Sequence, residues 1–209
     1  MRWQTGGMVK ATTPLDLRRL TGAALDARLG DLARLRISVF RAFPYLYEGD
    51  LEYERSYLQH FAEAADAVII GAFSGGSLVG CATGSALKGH HEEFSAPLEA
   101  AGIDLETTFY FGESVLEPAW RGTGVGHRFF DLREAWAREQ GYRRVSFCAV
   151  CRPPDHPACP AGYTPLDEFW RRRGYQPMPG LIAHFSWRDV GAAEDTSKPM
   201  QIWMKALTG

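Results

Sequence analysis

Apolar positions along the chain change period several times, and each change predicts an element. Leu15, Leu17 and Leu20, with Asp16 and Arg18 between, predict a short first strand. From Ala23 to Phe40 the spacing becomes helical: Leu25, Leu29, Leu32, Leu35 and Val39 recur at three and four, with Gly30 as a break point. Ala67–Phe73 and Ser77–Ala86 predict two strands joined by a tight turn at Ser74-Gly75-Gly76. Residues 92–101 predict a short extra helix stopped by Gly102. Thr108–Leu116 predicts one aromatic, β-branched strand that Pro118 ends.

Behind that strand stand three glycines at alternate positions, Gly122, Gly124 and Gly126, and then a helical pattern closed by Gly141. The spacing predicts a buried stripe of Phe129, Leu132, Ala135 and Trp136, with Arg128, Arg133, Glu134, Arg138 and Glu139 in solvent. Arg144–Val150 predicts a strand, and a proline-rich loop runs from Arg152 to Pro165. Thr164-Pro165-Leu166-Asp167 predicts the start of a helix that stops at Gly174. Leu181–Trp187 and Met200–Met204 predict the last two strands.

Strand, glycine loop and helix N-terminus together form a phosphate-binding arrangement. The first N–H groups of a helix lack internal partners, the helix dipole adds positive potential there, and glycine admits close approach. A P-loop needs Gly-Lys-Ser/Thr, but His127 and Arg128 follow Gly126. A dinucleotide fingerprint counted from Gly122 needs a glycine where His127 stands. The pattern that fits is Arg/Gln-x-x-Gly-x-Gly/Ala, as Arg121-Gly122-Thr123-Gly124-Val125-Gly126. This run, with Val115-Leu116-Glu117-Pro118-Ala119-Trp120 before it, resembles the acyl-coenzyme A loop of the GNAT-type N-acetyltransferase superfamily.

The resemblance implies an α/β (α+β) fold in one domain. Its order is β-α-α-β-β-β-α-β-α-β-β, a mixed, mostly antiparallel sheet of six to seven strands flanked by helices. Residues 1–11 would be a loose N-terminal segment and residues 12–209 the acyltransferase domain. It implies acetyl-CoA as cofactor and direct transfer of the acetyl group to an amine. The backbone of Val115 and Leu116 would line the pantetheine arm. The N–H groups of Arg121, Gly122, Thr123, Gly124, Val125, Gly126 and His127 would hold the pyrophosphate.

The chemistry-bearing side chains have two readings each. Glu113, on a face with Phe109, Phe111 and Val115, is either a general base for an ammonium acceptor or a partner for a structural arginine. Phe40–Tyr57 is dense in aromatics and carboxylates. It is either aromatic packing with a solvated charge cluster or an acceptor site in which Tyr45, Tyr47, Glu48, Asp50 and Glu52 hold a cationic amine. In the proline-rich loop His156 and Tyr163 are candidates for the acceptor wall. Phe169-Trp170-Arg171-Arg172-Arg173-Gly174-Tyr175 is similar to the family's Leu-Tyr-x-x-x-Gly-Phe element. Trp170 replaces the tyrosine that reprotonates the thiolate in many members, so Tyr163 or solvent takes that task.

Composition narrows the alternatives. A net charge of −2 leaves no nucleic-acid footprint. No apolar run spans a bilayer, and the first residues lack the apolar core of a signal peptide, so the cytoplasm is expected. Four cysteines make no disulfide framework. Cys148 and Cys151 lie three apart on a strand, which argues against a CxxC site. His90, His91, Glu92 and Glu93 read as a solvated loop rather than a metal cluster. The partner implied is a small-molecule amine, and exposed aromatics and the final strands are compatible with a homodimer. Two other functions stay open: a non-catalytic acyl-CoA sensor, and an NADP oxidoreductase that would use Arg152.

Overall fold

The computed structural model describes residues 15–88 and 92–208. The segment 1–11 and His90–His91 therefore lie outside the described residues. The strands are β1 (Asp16–Arg19), β2 (Val68–Ser74), β3 (Ser77–Ala86), β4 (Thr108–Tyr110), β5 (Ser114–Leu116), β6 (Arg144–Val150), β7 (Gln176–Arg188) and β8 (Asp195–Ala206). They form one sheet in the order β1-β2-β3-β4-β6-β8-β7, with β5 paired to β3. Every pairing is antiparallel except β4 with β6. The helices are α1 (Gly22–Asp26), α2 (Leu29–Phe40), α3 (Leu51–Glu63), α4 (Glu92–Ala100), α5 (Val125–Glu139) and α6 (Asp167–Arg172).

The sheet separates apolar clusters. On one face Phe109, Phe111, Val145, Phe147 and Trp203 pack against Phe129 and Phe130 of α5, with Phe169 and Trp170 of α6 at the margin. On the other, α1, α2 and α3 cover Ile69, Cys81 and Val115, while Leu98 of α4 packs with Tyr110, Cys148 and Ile202.

Three predicted elements need correction. The single strand Thr108–Leu116 is two strands, which gives eight rather than six to seven. Gly112 marks the break, where an added Cβ would lie 2.5 Å from Thr83 Oγ1. The break inverts the alternation, so Phe109 and Phe111 face α5 while Val115 faces α2 and α3. The first helical region divides after Asp26, two residues before Leu29, not at Gly30. The helix predicted to open at Thr164-Pro165 begins at Asp167, with Leu166 as its N-cap.

The predicted face of α5 is also corrected. Its buried residues are Val125, Phe129, Phe130, Arg133, Glu134 and Ala137, whereas Leu132 is exposed. Burial recurs every fourth residue, and two charges share the stripe because each finds partners. Arg133 is 1% exposed. It donates to Thr83 O and Glu113 O, both at 3.0 Å, and to Ser114 Oγ at 2.7 Å. Hydrogen bonds from a charged donor contribute roughly 1.5–3 kcal/mol each, so Arg133 fastens the middle of α5 to β3 and to the start of β5 just beyond the β4–β5 break.

Glu134 accepts from Lys205 Nζ (2.8 Å), Tyr175 OH (3.0 Å) and Arg173 Nη2 (3.1 Å). Burial alone would raise its carboxyl, but Lys205 and Arg173 outweigh that and hold it below its ordinary value. A depressed acid stabilises the fold above its unfolded value near 4.5 and loses that contribution as pH falls through the folded value. Glu134→Gln is expected to cost about 1–3 kcal/mol at pH 7. Urea midpoints followed from pH 6 to pH 3 should fall more steeply in the wild type than in the variant; parallel curves would remove Glu134 from the acid limb.

Candidate active site

The glycine loop sits where α5 begins. A 3₁₀ turn, Pro118–Trp120, leads into it, and Thr123 Oγ1 donates to Trp120 O at 2.6 Å. Gly124 is the N-cap of α5 with φ 87°, and Gly122 has φ 74°. Both angles lie in the left-handed region that a Cβ disfavours. The first N–H within α5 to find an acceptor is that of Arg128, on Gly124 O at 3.3 Å. Among the described residues, the N–H groups of Gly122, Thr123, Gly124, Val125, Gly126 and His127 have no protein acceptor. Six consecutive free donors at the positive end of a 15-residue helix form an anion cradle. Arg121 turns back along the loop, its Nε donating to Leu116 O at 3.2 Å. The His127 ring lies edge-on to Phe169 and within 3.2 Å of Arg173 Nη1.

Beside the cradle the sheet opens. β4 is hydrogen-bonded to β6, and the last link is Phe111 N–H to Ser146 O at 2.8 Å. Beyond it, β5 pairs only with β3, while β6 continues with β8. The two strands part, leaving one edge of β5 facing a gap. Thr83 N–H to Glu113 O (3.0 Å) and Glu117 N–H to Val79 O (2.9 Å) fix the alternation of the β3–β5 ladder. By that alternation Val115 exchanges its bonds with Cys81, and the backbone of Ser114 and Leu116 faces the gap. Of the two residues expected along a pantetheine arm, Leu116 is the one so placed.

Glu113 lies at the head of this gap, buried, with its carboxylate on Arg36 Nη1. The Nε of Arg36 donates to Glu54 Oε2. Two carboxylates and one guanidinium give the cluster a net charge of −1. Burial would pull the Arg36 guanidinium down, but Glu113, Tyr57 and Glu54 reverse this and hold it well above its ordinary value. Glu113 therefore binds a buried arginine, one of the two roles open from sequence.

Tyr45 adjoins this cluster. Its hydroxyl is pushed up by burial, then by Cys148, Glu113 and Tyr163, with Arg36 opposing. Its ring lies on Phe40 (4.7 Å) and near Trp187 (6.1 Å). Tyr47 bridges to Asp189, and burial followed by Glu54 raises its hydroxyl. Two of the three acids expected to hold the amine are already used, while Glu52 is exposed in the first turn of α3. Glu48 accepts from Arg41 Nη1 at 2.6 Å, and Asp50 is the N-cap of α3, accepting from Tyr53 N–H at 2.8 Å. His156 Nδ1 accepts from Ala158 N–H at 3.1 Å, and Tyr163 is 37% exposed. Both rings lie against Phe43, at 5.7 and 4.7 Å. Trp170 is packed between Phe147 and Trp203.

Sequence reasoning missed Arg36, Glu54, Arg133 and the structural role of Arg152. A signal existed for the first two. Arg36 stands four residues after Leu32 on the buried stripe of α2, and Glu54 four before Leu58 on that of α3. Opposite charges on the inward faces of consecutive helices predict a buried pair. Arg152, invoked for an NADP phosphate, is bound instead to Asp189 through two bonds of 3.0 and 2.8 Å. Cys148 is buried, Cys151 is exposed and all four cysteines are free. Among the described residues no group of three potential ligands could hold a metal, and no helix is long and apolar enough to cross a membrane.

The fold matches solved acetyltransferases. One is a Salmonella typhimurium protein solved with its cofactor acetyl-CoA (TM-score 0.59, 11% identity, 93% of this chain and 94% of that one). Another is the ribosomal-protein-alanine N-acetyltransferase of Brucella melitensis (0.58, 16%, 91% and 99%). A third is an aminoglycoside 6′-N-acetyltransferase complexed with coenzyme A (0.56, 15%, 93% and 98%). No curated protein matches the chain in sequence. The acceptors named for the latter two range from a ribosomal protein to an aminoglycoside, on one fold. The model of the Acetyltransferase (GNAT) family matches residues 33–161, a span that holds the buried charge cluster, the split strand and the glycine loop, and the chain belongs to that family.

Proposed function

We propose that this protein is an acetyl-CoA-dependent N-acetyltransferase that moves the acetyl group directly to the amine of a small acceptor. The observation that carries this reading is the parting of β5 from β6 beside six free N–H groups at the start of α5. The cradle fits a pyrophosphate, and the open edge of β5 fits an extended amide-bearing arm that completes the ladder. Acetyl-CoA supplies the acetyl group as a thioester. Gly122 to His127 hold the phosphates through backbone N–H, whereas the Arg121 N–H, expected to join them, is donated to Pro118 O at 3.2 Å, and Leu116 orients the arm through its N–H. Glu113 takes the ammonium proton, directly or through water, so that the amine attacks as a free base. Tyr163, kept protonated by burial and by Cys159 and Asp167, is the candidate proton donor to the departing thiolate, because Trp170 has no acidic proton.

One observation favours a second reading. The ion pair of Glu113 with Arg36 would also suit a chain that binds acyl-CoA without transferring it. Glu113→Gln separates the two. The variant removes one negative charge and leaves Arg36 paired with Glu54, so the fold should tolerate it. Acetyl-CoA should raise the melting temperature of both proteins alike, as saturation at about 100 times Kd adds roughly 2.7 kcal/mol. Amine-dependent release of free thiol should fall about 100-fold or more in the variant. Wild-type turnover that survives the substitution would remove Glu113 as base; a thermal shift with NADPH alone would remove the acetyl-CoA reading.

A further inference from the structure

Arg152 fastens the proline-rich loop to the α2–α3 connection and the β7–β8 hairpin, two segments already joined by the Tyr47–Asp189 bridge. Its Nε donates to Pro44 O and its Nη2 to Tyr45 O, each at 2.8 Å, while Asp189 takes both Nη groups. Asp189 also faces Lys198 Nζ at 3.4 Å, and Trp187 Nε1 donates to Tyr45 O at 3.0 Å. The α2–α3 connection, the proline-rich loop and the β7–β8 hairpin are thereby held in one arrangement. The result is an aromatic wall. Phe43 lies edge-on to Tyr163 and against His156, and Tyr45 packs on Phe40, whose ring lies 5.2 Å from the Arg36 guanidinium that holds Glu113.

Charged groups stand at both ends of this wall. The inner end carries the Glu54 and Glu113 carboxylates, both on Arg36. At the outer end Arg152 and Lys198 share the Asp189 carboxylate. Of the acids that would attract a polycation, Glu48 is paired with Arg41 and Asp50 caps α3, which leaves Glu52 exposed in the first turn of α3. A ligand that suits this arrangement has one ammonium at its inner end and an uncharged, ring-bearing body at its outer end. Aromatic rings favour such a body through stacking and edge contacts.

We infer that the acceptor is a primary amine carried on a planar apolar group, and that Arg152 is the positioning residue that sets its specificity by holding the Phe43–Tyr163 wall. This rests on the acetyl-transfer reading for the chemistry, but not for binding. Binding can be measured in the dead-end complex with coenzyme A, where no acetyl group is available. Titration calorimetry on the coenzyme A-saturated chain, with 2-phenylethylamine and spermidine as probes, tests it.

2-Phenylethylamine should bind at least about 10-fold more tightly than spermidine. Phe43→Ala and Arg152→Met should each weaken 2-phenylethylamine about 10-fold, with coenzyme A affinity unchanged. Arg152→Lys, which keeps the charge but not the fork of bonds, should recover only part of the loss. Tighter binding of spermidine, or a Phe43→Ala variant that binds 2-phenylethylamine like the wild type, would overturn the inference. Phe43 is half-buried at the wall, so its variant keeps the test open if Arg152→Met does not fold. Binding of 2-phenylethylamine with no acetylated product from acetyl-CoA would refute transfer while leaving the acceptor site standing.

Discussion

Replacing Arg36 with methionine is expected to destabilise the protein by roughly 3–5 kcal/mol, the scale for breaking a buried ion pair from one side. Methionine keeps most of the volume and the apolar stem. It removes the cation that bridges the carboxylates of Glu54 and Glu113. Glu54 is 1% and Glu113 8% exposed, so little solvent reaches either carboxylate to replace the guanidinium. Two negative charges would then share one apolar site, each desolvated and each repelling the other. Arg36 also lies over the Tyr57 ring at 4.4 Å, a contact the variant loses. Urea denaturation at pH 7 measures the cost. Adding Glu54→Gln and Glu113→Gln should return more than half of it, since the uncompensated charges cause the loss. The deficit should also shrink on acidification, as protonation discharges the carboxylates. A single variant as stable as the wild type would mean that water or local rearrangement already screens this cluster.

The second large effect is on ligand affinity. Gly124→Val is expected to weaken acetyl-CoA binding about 100-fold, or roughly 2.7 kcal/mol. Gly124 has φ 87°, and valine is β-branched, so its Cβ collides with its own backbone there. Nothing else lies within 4 Å of an added Cβ, so the penalty is conformational rather than a clash with a neighbour. The loop is exposed and can relax to negative φ at little cost, which limits the loss of fold stability to about 1–2 kcal/mol. Relaxation turns the N–H groups of Gly122 to His127 away from a common point, and binding loses the cradle. Titration calorimetry with acetyl-CoA reads the affinity, and Gly124→Ala should fall between the two. Unchanged affinity in Gly124→Val would mean that the phosphates are held elsewhere.

Much of the architecture is written locally. The Gly75–Gly76 hairpin, the Gly102, Gly141 and Gly174 stops and the loop from Arg121 to Gly126 depend on backbone conformations that neighbouring residues dictate. The order of elements follows from period changes that need no knowledge of packing. The same holds for the anion cradle, because a helix start preceded by glycines has free donors wherever it lies.

What the local pattern could not contain is which charges go inside. Arg133 and Glu134 look like solvent residues until Thr83, Ser114, Tyr175, Arg173 and Lys205 are brought to them from distant positions. Asp50 and Glu48 look like ligands for a cation until α3 needs a cap and Arg41 is found beside them. The break at Gly112 is invisible in a run of strand-forming residues, because it arises from the close approach of Thr83 and from Arg133 binding the carbonyls of Thr83 and Glu113. The sequence by itself determined the family loop, the element order and the mixed sheet, since these rest on backbone conformation and periodicity. Only the tertiary structure decided the split strand, the buried charge cluster and the Arg152 clamp, since a buried charge is stable only where distant segments supply its partners.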